Sequence, residues 1–141
     1  MADNVPEVTS IHHVALTVRD VEASAAWYER VLGLNRIPVP FPHHDREDTG
    51  YGVLMVSADM SVVIGLHHHE SHGGDGFDEA HTGLDHLGIA VADRNAMDAW
   101  VAKLDAEGVE HSGIRDLTEP VPFSTLVFRD PDNIQLELYS N

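Results

Sequence analysis

Eleven histidines and no cysteine stand out among the 141 residues. Without thiolates, histidine and carboxylate are the only strong metal ligands available. Disulfides, thiolate zinc sites and cysteine nucleophiles are excluded. Neutral imidazole beside an ionised carboxylate is a donor set suited to Fe(II), Mn(II), Ni(II) or Zn(II). Two of the histidines, His13 and His86, occupy matching places in a repeat, and one carboxylate, Glu137, is expected on the same kind of strand face.

The repeat positions them. Residues 11–20 read Ile-His-His-Val-Ala-Leu-Thr-Val-Arg-Asp and residues 84–93 read Leu-Asp-His-Leu-Gly-Ile-Ala-Val-Ala-Asp. An offset of 73 aligns His13 with His86, Val18 with Val91, Asp20 with Asp93 and Trp27 with Trp100. Such self-similarity marks two copies of one supersecondary unit. Each copy opens with a strand: Val14, Leu16 and Val18 alternate with His13, Ala15 and Thr17, and Leu87, Ile89 and Val91 with His86, Gly88 and Ala90. Period-two alternation gives one large apolar face and one face carrying a histidine followed by small residues. The small residues leave room for something else, and His12, of opposite parity to His13, is expected to be structural.

A helix follows each strand. Asp20 and Asp93 are suited to cap the first turns, and Gly33 and Gly108 to end the helices. Trp27 and Trp100 are expected in the core. Three further strands complete each copy, near 34–39, 51–57 and 61–67 in the first and near 109–115, 122–129 and 134–139 in the second. The links Ser57-Ala58-Asp59-Met60 and Asp130-Pro131-Asp132-Asn133 are turn-like, with Asn133 tolerant of the left-handed region. The pattern is βαβββ twice, an α+β fold in a single domain of residues 1–141. The first module spans about 9–70, a linker loop about 68–83 and the second module about 84–141.

In the last strand Ile134, Leu136 and Leu138 face the core while Gln135, Glu137 and Tyr139 face away. At an offset of 72 Gly65 aligns with Glu137 and His67 with Tyr139. Two loops are unusual. Residues 38–50 hold three prolines with His43 and His44, minor candidates for a pocket rim, and residues 68–83 hold Gly73, Gly74 and Gly76, suited to a linker or lid. His68, His69 and His72 are expected in solvated loop. Phe123 is suited either to the open face or to the core.

These features together resemble the vicinal oxygen chelate superfamily of glyoxalases, extradiol dioxygenases, fosfomycin- and bleomycin-resistance proteins and epimerases. The carriers are His13-Val14 with Val18-Arg19-Asp20, the helix end Trp27-Tyr28-Glu29-Arg30-Val31-Leu32-Gly33-Leu34, Asp85-His86 with Val91-Ala92-Asp93, and Asp130-Pro131-Asp132-Asn133 through Glu137-Leu138-Tyr139. The resemblance implies a half-barrel cup whose metal ligands come from the first and last strands of each copy. Here those positions are His13, Gly65, His86 and Glu137. Gly65 cannot ligate, which departs from the glyoxalase I pattern, and His67 lies two residues on along the same face. His13, His86 and Glu137 then form a two-histidine, one-carboxylate set with open positions for substrate. His67 and Tyr139 are the candidates for direct work on a substrate, as acid/base and as hydrogen-bonding group.

Two functions fit. One is a metal-dependent enzyme, dioxygenase-like or glyoxalase-like, acting on a small oxygen-bearing molecule. The other is a non-catalytic cup that sequesters a drug or metabolite, with Gly65, Ala15, Gly88 and Ala90 making room. The net charge of −16 repels phosphate backbones and anionic surfaces, so nucleic acid and membrane are poor partners. No stretch reaches the roughly 18 apolar residues of a membrane span. The polar, acidic residues 1–10 do not resemble a signal peptide, so the cytoplasm is the expected compartment. The resemblance also implies a C2 homodimer, the commonest soluble oligomer. No phosphate loop, nucleotide fingerprint or nucleophile triad is present.

Overall fold

A computed structural model describes residues 5–141. In chain order the elements are β1 (Val14–Thr17), α1 (Val21–Leu32), β2 (Asn35–Arg36), β3 (Phe41–Pro42), β4 (Gly50–Val56), β5 (Val63–His69), β6 (Leu87–Ala90), α2 (Arg94–Ala106), β7 (His111–Leu117), β8 (Phe123–Arg129) and β9 (Gln135–Ser140). They form two sheets, β1-β5-β4-β2 with β3 also on β4, and β6-β9-β8-β7. The anticipated α+β fold of tandem βαβββ modules is therefore present. Within each sheet the opening strand runs parallel to the closing one and lies at an edge, β1 on β5 and β6 on β9.

The helix ends follow from local chemistry. The Asp20 carboxylate accepts from the Ala23 amide at 3.0 Å, and Asp93 accepts from the Ala96 amide at 2.8 Å. Each satisfies a first-turn donor that the helix itself cannot pair. Gly33, at φ 68°, takes the left-handed conformation that closes α1. Helix α1 buries Val21, Ser24, Ala25, Trp27, Tyr28 and Val31. Helix α2 buries only Met97 and Leu104, and Trp100 sits at the margin of the core, half exposed.

The first module departs from the expected strand pattern in its proline-rich stretch. Strand β2 stops at Arg36, shortly before Pro38 and Pro40, which have no amide to give to a ladder. A two-residue strand, β3, then returns to β4, pairing Phe41 with Gly52 and Pro42 with Tyr51. Strand β5 runs on through His68 and His69, which the sequence pattern assigned to loop; β4 pairs Tyr51 with His68 and Gly50 with His69. Backbone pairing overrides the polar composition of that stretch.

One hydrophobic cluster takes residues from both modules, with Trp27, Tyr28 and Val31 of α1 alongside Leu126, Phe128 and Leu136 of the second sheet. The turn between β8 and β9 is the polar counterpart of that packing. Tyr28 donates its hydroxyl to Asp130 at 2.8 Å, Ser24 donates to Asp132 at 3.2 Å, and Arg19 donates its backbone amide and its Nε to Asp132 at 2.9 and 2.8 Å. Asn133 closes the turn at φ 68°.

The glycine-rich linker is tied to the same turn. Phe77 donates its amide to the Asp132 carbonyl at 2.8 Å, and Arg129 grips Glu79 with bonds of 2.9 and 2.6 Å. That guanidinium holds the Glu79 carboxyl down at about 2, below its ordinary 4.5. A lowered acid pKa stabilises the folded state above the unfolded value and loses that contribution as pH falls toward the folded one. The protection of the residue 77–83 amides, taken relative to free-chain exchange at the same pH, is therefore expected to fall between about pH 4.5 and pH 2. Glu79→Gln should show the lower protection already at pH 6, and identical protection in the two proteins would remove the clamp from the account.

Candidate functional site

In the second module, β9 turns Leu136 and Leu138 into the core and leaves Glu137 and Tyr139 half-buried on the opposite face. Parallel pairing sets Glu137 beside Gly88 and Tyr139 beside Ala90. A β-carbon at Gly88 would come only within 3.9 Å of Glu137 Oε1, so the small residue keeps the space over the carboxylate open. His86 stands just before β6. Its Nδ1 is 2.7 Å from Asp85 Oδ1 and its Nε2 is 3.9 Å from Glu137 Oε1. An ionised carboxylate only accepts, so His86 Nδ1 donates to Asp85 and Nε2 is the nitrogen turned toward Glu137. A histidine oriented by a carboxylate in this way is the usual arrangement of a metal ligand. Tyr139 stacks on Phe123 with ring centroids 5.4 Å apart, which places Phe123 on the open face.

In the first module, His13 stands just before β1, exposed, with its Nδ1 2.9 Å from that of His12. It lines a cavity with Ala15, Phe41, His43, His67 and His69. Thr17 is the register partner of His67, and Ala15 that of Gly65. The His67 ring fills the space over Gly65: a β-carbon there would meet His67 Nε2 at 3.3 Å. His67 thus covers the position that corresponds, across the repeat, to Glu137. Burial lowers the His67 pKa below the ordinary imidazole value, and the nearby His43, His69 and His13 lower it further. The ring is therefore held neutral, as a ligand or a base must be.

The structure brings His86 and Glu137 together and places His13 with His67 on the other sheet. Among the described residues, one group of three His, Asp or Glu side chains offers ligand atoms all within 4.8 Å of one another, and it is His43, His67 and His69. His43, a minor candidate for a pocket rim, is only 4% exposed. Its Nε2 donates to the His68 carbonyl at 2.8 Å, and its Nδ1 is 3.0 Å from His67 Nδ1. The signal that could have found His69 is the alternation itself, which puts residues 67 and 69 on one face once the strand is extended by two residues.

A family profile decides the lineage, matching residues 10–138. The chain belongs to the Glyoxalase/Bleomycin resistance protein/Dioxygenase superfamily. It is 34% identical over 131 residues to the uncharacterized protein YwkD of Bacillus subtilis (strain 168), covering 92% of this chain and 95% of the relative. It is 32% identical to a glyoxylase/bleomycin resistance protein/dioxygenase domain from Frankia sp. EAN1pec, with a TM-score of 0.80 over 94% of this chain and 92% of that one. The fold is shared with the fosfomycin resistance protein FosX of Listeria monocytogenes, solved with Mn(II) and sulfate. That likeness has 17% identity, a TM-score of 0.65, and coverage of 96% and 94%. Superfamily membership accounts for the repeat and the two open strand faces, and one such fold hosts many reactions. Among the described residues no helix is long and apolar enough to cross a membrane.

Proposed function

We propose that this superfamily member is a metal-dependent enzyme acting on a small oxygen-bearing substrate, with His13, His86 and Glu137 as the ligand set. The observation that carries the reading is the His86–Glu137 pair, 3.9 Å apart, with His86 oriented by Asp85 at 2.7 Å. These residues fit a divalent ion: one imidazole nitrogen turned toward the open face, one carboxylate, and a neighbouring acceptor that orients the ring. Bound there, Fe(II), Mn(II), Ni(II) or Zn(II) would supply a Lewis acid that holds substrate oxygen and offsets developing negative charge. Mn(II) in FosX is in keeping with this choice of ions.

The third ligand comes from a second copy of the chain. In each chain β1 and β6 lie at the edges of separate sheets, and the residues of their small faces, Ala15, Gly88 and Ala90, are exposed. A two-fold dimer would set the β1 face of one copy against the β6 face of the other. That closes two identical cups, each with His13 from one chain and His86 with Glu137 from the other. Within the cup, Tyr139 would position the substrate by hydrogen bonding, and His67, kept neutral, would take up or return a proton.

Metal analysis of the protein purified without a histidine tag tests the reading. Bound Fe, Mn, Ni or Zn is expected, with thermal stability that falls on chelation and returns with the ion. Tight ligand binding that chelators leave untouched would favour the sequestering cup instead.

A further inference from the structure

We propose a second metal site, built by His43, His67 and His69 between the 38–49 loop and strand β5, that takes a transition ion of the Zn(II), Ni(II) or Cu(II) class. It uses none of the ligands assigned to the first site, and an ion bound here would take His67 out of the proton-carrying role proposed above.

Three observations carry it. The ligand atoms of the three rings all lie within 4.8 Å of one another. His43 and His67 Nδ1 are 3.0 Å apart. Two nitrogens bound at about 2.1 Å to one ion at the tetrahedral angle would be about 3.4 Å apart, a few tenths of an ångström wider than this pair. The His43 ring already has the orientation of a ligand. Its Nε2 donates to the His68 carbonyl at 2.8 Å, so its Nδ1 carries the lone pair, and that lone pair faces His67.

The backbone is also cut away to admit the rings. A β-carbon at Gly50 would lie 2.6 Å from His43 Nε2 and 1.9 Å from the His68 carbonyl oxygen, and Gly50 has φ 151°. A β-carbon at Gly52 would lie 3.0 Å from His67 Cε1 and 2.6 Å from the Phe41 ring. With the 3.3 Å approach at Gly65, three strand glycines each give way to an imidazole of this group. Glycine in a strand interior weakens it, so three around one cluster mark a place where close approach is required.

The donor chemistry selects the ion. All three donors are imidazole nitrogens, which suit Zn(II), Cu(II) and Ni(II), whereas Mg(II), Ca(II) and Mn(II) favour oxygen ligands. Arg46 lines the same cavity, so binding draws on the ring nitrogens and not on negative charge. Three protein ligands leave a tetrahedral ion one open position, here facing the cavity that His13 also lines. The ion would pin Phe41, Pro42 and His43 to β5.

The test uses the full-length, untagged chain carrying His86→Ala and Glu137→Ala, so that the first site is absent. Titrated with Zn(II) and passed through a desalting column, it should retain one ion per chain. With Co(II) it should show the visible absorption of an ion held by imidazoles. Adding His69→Gln should weaken Zn(II) binding at least about 10–100-fold and abolish the Co(II) spectrum. His44→Gln, at an exposed neighbour, should change neither. His43 is buried, so a His43→Gln chain may be read only if its circular dichroism matches the parent; His69→Gln, on a half-buried ring, is the deciding variant. No retained Zn(II) in the double variant, or retention unaffected by His69→Gln, would overturn the proposal. Neither result bears on the His86–Glu137 site, which that protein lacks.

Discussion

Replacing Glu137 by alanine should lower Mn(II) affinity by about 100-fold or more and leave the fold intact. Loss of an orienting partner beyond the ligands costs about 10–100-fold, and loss of a charged ligand costs at least that much. Glu137 is the anionic member of its pair, and its side chain is 21% exposed on the open face while Leu136 and Leu138 hold β9 in the core. Truncation there removes a donor without stranding a buried partner, so stability should change by no more than about 0.5 kcal/mol. Asp85→Asn keeps every ligand but weakens the hold on His86 Nδ1, and should cost about 10–100-fold. His81→Ala, at a side chain 82% exposed, should cost nothing measurable. Competition against a chromogenic chelator reads all three.

Asp130→Ala should be the most destabilising of the polar substitutions, by about 3–5 kcal/mol. Asp130 is 6% exposed and accepts three bonds: Asp132 N at 2.8 Å, Ile134 N at 2.9 Å and the Tyr28 hydroxyl at 2.8 Å. Removing the carboxylate strands two turn amides and a hydroxyl on a residue with no exposed surface. Burial pushes the Asp130 pKa up while the donors pull it down, and burial prevails. The Asp130 carboxylate and the Tyr28 hydroxyl are mutually dependent: the charge of Asp130, after burial itself, drives the Tyr28 hydroxyl pKa well above its usual range. Tyr28→Phe should therefore cost about 1.5–3 kcal/mol. In that background Asp130→Ala should cost visibly less than alone, because the two share one bond. Chemical denaturation of the four proteins measures the coupling, and strict additivity would mean that the Tyr28–Asp130 bond contributes nothing to holding α1 on the β8–β9 turn.

The repeat was legible because it is local twice over. His13 and His86, Asp20 and Asp93 each sit in a short strand–helix unit whose alternation and caps depend on near neighbours, and the structure reproduces the caps at Ala23 and Ala96. Asp130-Pro131-Asp132-Asn133 was legible only as a turn. Its partners, Tyr28 and Arg19, lie more than 100 positions away, and no periodicity announces them. The histidine group was hidden for a related reason. His43 lies in a proline-interrupted stretch with no pattern, 24 residues from His67, and His68-His69 are too polar to read as a continuation of the strand that ends at His67. Only the pairing of Gly50 and Tyr51 with His69 and His68 keeps it extended. Glu137 and Tyr139 were placed on one face by alternation alone. His13 precedes β1 and His86 precedes β6, edge strands of different sheets, a placement that alternation does not announce.

The central claim is that His13 of one copy completes the His86–Glu137 pair of another. It is tested by co-refolding equal amounts of His13→Ala and Glu137→Ala chains, at a metal concentration that saturates only the parent protein. With Mn(II) as the ion, which the all-imidazole group does not favour, each variant alone should bind essentially none. If the sites are shared, half of the dimers are mixed, each mixed dimer has one intact site, and about a quarter of the parent's metal binding returns. If all three ligands belong to one chain, mixing restores nothing, and that result would contradict the account.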